Sequence, residues 1–295
     1  MRRWAVAVSM TAVAAATSLT LAGSAGAHER PDPRVVSGGM AGVVHARGAS
    51  AGHGKPGSSP NLLFHGGAIM TSTSVRAIFW GSNWGQAGFT GDKRSGLDAF
   101  YGGIGGTQYL NTNREYTGTN GQVGTGVTNG AQVVDTSTAP SRAPSTSAVL
   151  AEVAKVITAP VANGYYPVYV DTPRGSAGYC AWHSYGTING VPVTFGFFFN
   201  LDGDPGCDPG DSSSTKSQGL EALANVSGHE ISETLTDPRN GGWWDSKGAE
   251  NADKCAWTFH GTSNFGGKQW LIQGNWSNAA YTSRSGYDSL KGCIV

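Results

Sequence analysis

Four cysteines, Cys180, Cys207, Cys255 and Cys293, all fall in the second half of a 295-residue chain whose first residues read as an export signal. Arg2 and Arg3 precede an almost uncharged apolar run from Trp4 to about Leu21, and Ala25-Gly26-Ala27 supplies a small-residue cleavage site. Ser9, Thr11, Thr17, Ser18 and Thr20 dilute the run, and no stop-transfer charge cluster follows directly, so a signal peptide over 1–27 is expected in preference to an anchor. The working protein then begins near His28 and is secreted, an extracellular setting in which cysteines oxidise. Four cysteines allow three pairings; local order favours Cys180 with Cys207 and Cys255 with Cys293. The lack of any C-x-x-C pair argues against a four-cysteine zinc site.

The whole chain carries 20 basic and 20 acidic side chains, and losing Arg2 and Arg3 with the signal leaves 18 against 20. Such a balance argues against nucleic acid and anionic membrane as electrostatic partners. No later segment is apolar enough to span a bilayer.

Residues 28–60 are rich in Gly, Pro, Ser and Ala, show no apolar period, and read as a flexible leader or pro-segment. Gly48-Ala49-Ser50-Ala51-Gly52 matches the serine-hydrolase pattern G-x-S-x-G, but without a strand before it or a helix after it the match is chance. One globular domain is expected over 61–295. Strands are predicted at Leu62 to His65, Val75 to Trp80, Tyr165 to Val170 and Val193 to Phe199, and helices at Lys93 to Tyr101, Ser145 to Ile157 and Lys216 to Thr236. Val149, Leu150, Val153, Val156 and Ile157 give the second helix one apolar face. The fold class is α+β with an α/β-like character: a mixed sheet with packed helices, long Gly/Ser-rich loops and two disulfides.

The densest polar cluster runs from Val226 to Pro238. On a helix, His229 and Glu233 are four residues apart and project from one face, with Glu230 beside them. This is the H-E-x-x-H layout of a zincin-like active-site helix with its second histidine replaced by glutamate. In that motif two ligands hold zinc and the first Glu is the general base. Asp253 lies 24 residues after His229 and Glu250 lies 21 after it, close to where thermolysin-type enzymes carry a third, acidic ligand. The candidate site is therefore Glu230 as base and His229, Glu233 and Asp253 as ligands, with Glu250 and His183 as alternates. One imidazole and two carboxylates form a harder donor set than most zinc sites, so zinc is expected with calcium or manganese as alternatives. The alternating Asp202, Asp204, Asp208 and Asp211 are interrupted by Pro205 and Cys207, lack the glutamate of an EF-hand, and read as a polar turn.

Several blocks taken together carry a family resemblance. His65-Gly66-Gly67, Val75 to Gly81, Cys180-Ala181-Trp182-His183-Ser184, His229-Glu230-x-x-Glu233-x-x-Thr236-Asp237-Pro238 and Glu250 to Cys255 occur in the order seen in the EXORDIUM, or phosphate-induced protein 1, family and its secreted bacterial relatives. The likeness covers most of 61–295, except the inserts Thr258 to Lys268 and Tyr281 to Leu290. It implies an extracellular protein connected with the cell wall. It also implies that His229, Glu230, Glu233, Asp253 and Cys255 act as one unit, with His65 and His183 as further histidines of interest.

Two functions follow. One is a metal-dependent, peptidase-like hydrolase acting on an extracellular peptide. The other is a non-catalytic cell-wall or glycan-associated protein, with a structural metal or none, that uses exposed aromatics. Most of the nine tryptophans are expected in the core. Trp243 and Trp244 are adjacent and in an extended segment point opposite ways.

Overall fold

Aromatic and β-branched runs set the centre of the molecule. The computed structural model describes Met1, residues 35–49 and residues 60–295. The signal over 2–27, residues 28–34 and Ser50 to Gly52 of the serine-hydrolase pattern lie outside the described residues. A nine-stranded mixed sheet contains, in chain order, β1 (Val35–Ser37), β2 (Ala41–His45), β3 (Thr73–Val75), β4 (Ile78–Trp80), β5 (Val127–Asn129), β6 (Val133–Asp135), β7 (Gly164–Pro173), β8 (Tyr179–Ile188) and β9 (Val191–Asn200). Across the sheet, β1 and β2 share the outer edge of β8, followed by β9 and β7. Then come β3 and β4 end to end, and last β5 and β6. Strands β8 and β9 form an antiparallel hairpin, whereas β9, β7 and the strands beyond run parallel. Asn189 and Gly190 both take positive φ in the hairpin turn, 51° and 81°, as a two-residue turn between twisted strands requires.

Both faces of the sheet are covered. Alternation along the strands puts Trp182, Phe195 and Phe197 on one face, with Trp182 stacked 5.3 Å from Phe197. Helix α2 (Thr146–Val156) packs there, Leu150 filling the space left by Gly186. The opposite face carries Tyr165, Tyr169, His183 and Phe198, with Tyr169 stacked 4.6 Å from Phe198. Helix α3 (Gln218–Thr236) lies on it, and α1 (Lys93–Ile104) packs against α3. Each large buried side chain removes apolar surface worth about 1.5–3 kcal/mol. Ser217 caps α3, its side chain accepting from the Leu220 amide, and Pro238 follows the last turn.

The α+β class and both disulfides are present: Cys180–Cys207 closes 27 residues and Cys255–Cys293 closes 38. Among the described residues no helix is long and apolar enough to cross a membrane. The predicted strand near 62–65 is the short Leu63–Phe64, which pairs with Trp243–Trp244 in a separate ribbon, and 75–80 is broken at Arg76 and Ala77. The largest correction concerns residues 28–60. Residues 35–49 are structured, and β1 and β2 belong to the main sheet. Backbone ladder bonds to β8 hold these strands, of which β1 is only three residues long and β2 begins Ala-Gly, so no apolar period revealed them.

Candidate metal centre

Helix α3 presents Ser227, Glu230 and Glu233 to the sheet and Asn225 and His229 to the loops carrying Gln273 and Asp253, and every residue from Gly219 to Thr236 is buried. The i, i+4 geometry brings His229 Nε2 to 2.9 Å from Glu233 Oε1. The loop after Trp244 leads into a short 3-10 turn, Asp253–Cys255, that sets Asp253 Oδ1 at 3.4 Å from the same nitrogen. The Asp253 amide donates to Glu233 Oε1 at 2.9 Å, and the Glu250 amide donates to Asp253 Oδ2 at 3.1 Å. The disulfide from Cys255 to Cys293 pins this turn. His229, Glu233 and Asp253 thus offer ligand atoms that all lie within 4.8 Å of one another.

The alternates converge as well. His183, near the middle of β8, faces α3 with Nδ1 at 3.2 Å from Glu230 Oε2 and 3.7 Å from Glu233 Oε2. Its Nε2 is 3.8 Å from Glu250 Oε1 and 3.3 Å from the Asp237 carbonyl oxygen. His183, Glu233 and Glu250 make a second group with ligand atoms within 4.8 Å, so Glu233 belongs to both. Its Oε1 faces His229 and its Oε2 faces His183.

Several donor atoms here lack a hydrogen-bond partner. His229 Nε2, Glu230 Oε1, Glu233 Oε2, Glu250 Oε2 and Asp237 Oδ2 are buried without a hydrogen bond of proper geometry. Four carboxyl groups, the buried Glu230, Glu233 and Glu250 and the partly exposed Asp253, surround two imidazoles, an arrangement that burial penalises unless protons or a cation neutralise it, and burial raises Glu250 and Asp253 toward their protonated forms. Burial lowers the proton affinity of both histidines, but the carboxylates outweigh it and hold His183 and His229 well above their ordinary range. Glu233 shows the reverse balance: burial raises it, yet the two histidines bring it down to about 2. Burial pushes Glu230 up to about 7 against the pull of His183 and His229. An oxygen-rich set with one imidazole in each group fits a divalent cation of zinc, manganese or calcium type.

Sequence reasoning missed Gln273. Its side-chain nitrogen sits 2.7 Å from His229 Nδ1 and donates to the Ala252 carbonyl at 2.9 Å, while its backbone amide donates to Asn225 Oδ1 at 2.9 Å. Nothing in the sequence near Trp270 to Gly274 marks it as a partner of a residue 44 positions away. Gly42 was also missed: its amide donates to Glu250 Oε1 at 3.0 Å.

Other candidates lie elsewhere. His65 stacks on Trp244 with ring centroids 3.2 Å apart, outside the cluster. In the polar turn, Asp202 pairs with Lys93 and Asp204 with Arg174, while Asp208 and Asp211 accept amides of their own loop. Trp182, Trp270 and Trp276 are fully buried, while Trp243 and Trp244 are both half-buried. Trp244, Glu250 and Asp253 line a cleft of about 700 Å³ whose other wall includes Met40 to Val43.

Comparison of the chain with family models, curated proteins and solved structures finds no match.

Proposed function

We propose that this chain is a secreted, EXORDIUM-like, metal-dependent hydrolase of peptide bonds. The observation that supports this most directly is the convergence of His229, Glu233 and Asp253 around unpartnered buried donor atoms, with an acid whose pKa is raised to about 7 on the same helix. A divalent ion held by these three residues would polarise a carbonyl and lower the pKa of water. Glu230 is the general base, with a proton affinity matched to neutral pH. His183, hydrogen-bonded to Glu230 Oε2, orients that carboxylate and keeps a positive charge beside it once the proton has moved. Trp244 and the cleft beside Glu250 and Asp253 provide the approach for an extracellular peptide.

One observation favours the non-catalytic reading. As placed, the Gln273 side-chain nitrogen faces His229 Nδ1, which suits a neutral ring with Nδ1 as acceptor and the proton on Nε2, in opposition to the proton that the surrounding carboxylates favour on that ring. A metal on Nε2 requires the opposite tautomer, with Nδ1–H, and turning the Gln273 amide over to accept from it would set Oε1 against the Ala252 carbonyl and the amide nitrogen against the Trp257 N–H. In the non-catalytic reading the cluster is a hydrogen-bond network, and the half-buried tryptophans contact wall glycans.

Elemental analysis of the purified protein after metal-replete dialysis separates the two readings. The hydrolase reading expects a stoichiometric divalent ion and a Glu230→Gln variant that keeps the ion while losing about 10²–10⁴-fold in peptide cleavage. A metal-free, inert wild type would overturn it.

A further inference from the structure

We infer that the outer edge of β8 from Tyr179 to His183 is a binding site for an extended peptide, and that residues 41–45 of this chain fill it as a displaceable occupant covering the site. Strand β2 pairs antiparallel with β8, Val44 opposite Ala181, Val43 opposite Trp182 and Ala41 opposite His183. This is the geometry by which a separate peptide adds a strand to a sheet. Between Val43 and Ala41 the register slips and Gly42 is the extra residue. Its backbone turns away from the ladder toward the carboxylates and donates to Glu250 Oε1 at 3.0 Å. A Cβ on Gly42 would lie 2.0 Å from Glu233 Oε2 and 2.5 Å from His183 Nδ1, and its φ is +39°. Only bare main chain fits there. A main-chain segment pressed against His183, Glu233 and Glu250 stands where a peptide group presented to this cluster would stand.

The attachments of β2 are mostly main-chain. Trp257 Nε1 donates to the His45 carbonyl at 2.8 Å, the Arg47 amide donates to the Gly206 carbonyl at 2.8 Å, and Ser184 Oγ donates to the Gly39 carbonyl at 2.6 Å. Within β2 only Val44 is fully buried. So small an apolar area gives weak affinity to a free peptide; the ladder bonds to β8 hold β2 with the help of its covalent continuity with the rest of the chain, which acts as a high effective concentration. A cut in that connection turns the contact into an intermolecular one. Identifying β2 as a stand-in for substrate rests on the hydrolase reading, whereas peptide binding at the β8 edge does not.

The test uses the full chain with a specific protease site placed within residues 50–59. After cutting, the N-terminal piece is expected to leave the body on dilution and gel filtration, with the body's thermal transition retained. A fluorescent synthetic peptide of residues 35–49 then rebinds saturably, and the same peptide with Gly42→Val binds at least about tenfold more weakly. Unfolding of the body on loss of the piece, a piece that never leaves, or equal binding of the two peptides would overturn the inference. Rebinding without any peptide cleavage by the emptied protein would sink the hydrolase reading and leave this one standing.

Discussion

Gln273 touches His229 from a distance of 44 residues in the chain, its amide nitrogen 2.7 Å from the ring Nδ1. The contact fixes the ring's orientation and, through the choice of amide face, which nitrogen carries the proton. Gln273→Ala removes a donor aimed at Nδ1 and is expected to leave divalent-metal binding unchanged or slightly tighter. Gln273→Glu accepts from Nδ1–H and is expected to tighten it, with a loss of stability from the oxygen set against the Ala252 carbonyl. Isothermal titration with zinc and with manganese reads both.

Removing either disulfide is expected to cost similar stability but to affect the site differently. The 38-residue loop closed by Cys255–Cys293 is worth about 4 kcal/mol on chain-entropy grounds, roughly 10 °C in melting temperature. The double Cys→Ser change at 255 and 293 also frees the turn holding Asp253, so metal affinity falls with stability. The corresponding change at 180 and 207 lowers the melting temperature by a similar amount and leaves the three candidate ligands His229, Glu233 and Asp253 in place. Calorimetry together with metal titration distinguishes the two.

Glu152 ties stability to pH away from the metal centre. Burial, with Asp135 nearby, raises it from 4.5 to about 7 despite Lys155. Between those values the folded protein keeps a proton that the unfolded chain has released, so this group's contribution is fully present below about pH 4.5 and is lost as pH rises through about 7. Glu152→Gln is expected to gain stability relative to wild type on going from acidic to mildly alkaline pH, by about 3 kcal/mol at most. Urea titrations at several pH values measure that slope.

Lys93 and Asp202 behave asymmetrically. The Lys93 side chain is 3 % exposed and its ammonium lies 3.9 Å from the Phe89 ring centroid, whereas Asp202 is 41 % exposed. Asp202→Asn leaves a buried ammonium without its counter-charge and is expected to cost about 3 kcal/mol. Lys93→Met removes the charge and keeps the packing, with a loss of roughly 1 kcal/mol. Chemical denaturation of the two variants tests the order, and a costlier Lys93→Met would contradict it.

Much of the site was legible because it is local. His229, Glu230 and Glu233 share one helix, and the 3.6-residue period alone sets their common face. Asp253 was reachable by its spacing from a known motif. His183 was harder, because β8 reads YCAWHSYGTI, whose polar residues do not alternate with apolar ones. Both faces of that strand are covered, and its polar side chains are satisfied by α3 or by the chain's own carbonyls, as Ser184 is by Gly39. Gln273 and Gly42 depend on long-range packing, which leaves no periodic trace in sequence. The same holds for β1 and β2, whose side chains contribute little and whose backbone bonds contribute most.

The complete burial of α3 has an evolutionary consequence. A helix with no solvent-facing position offers almost no room for neutral substitution, since every side chain from Gly219 to Thr236 meets packed neighbours or the polar cluster. In diverging copies of this gene the loops will accumulate change first. The stretch from Leu220 to Asp237 will lag behind them as the slowest molecular clock in the chain, on packing grounds alone.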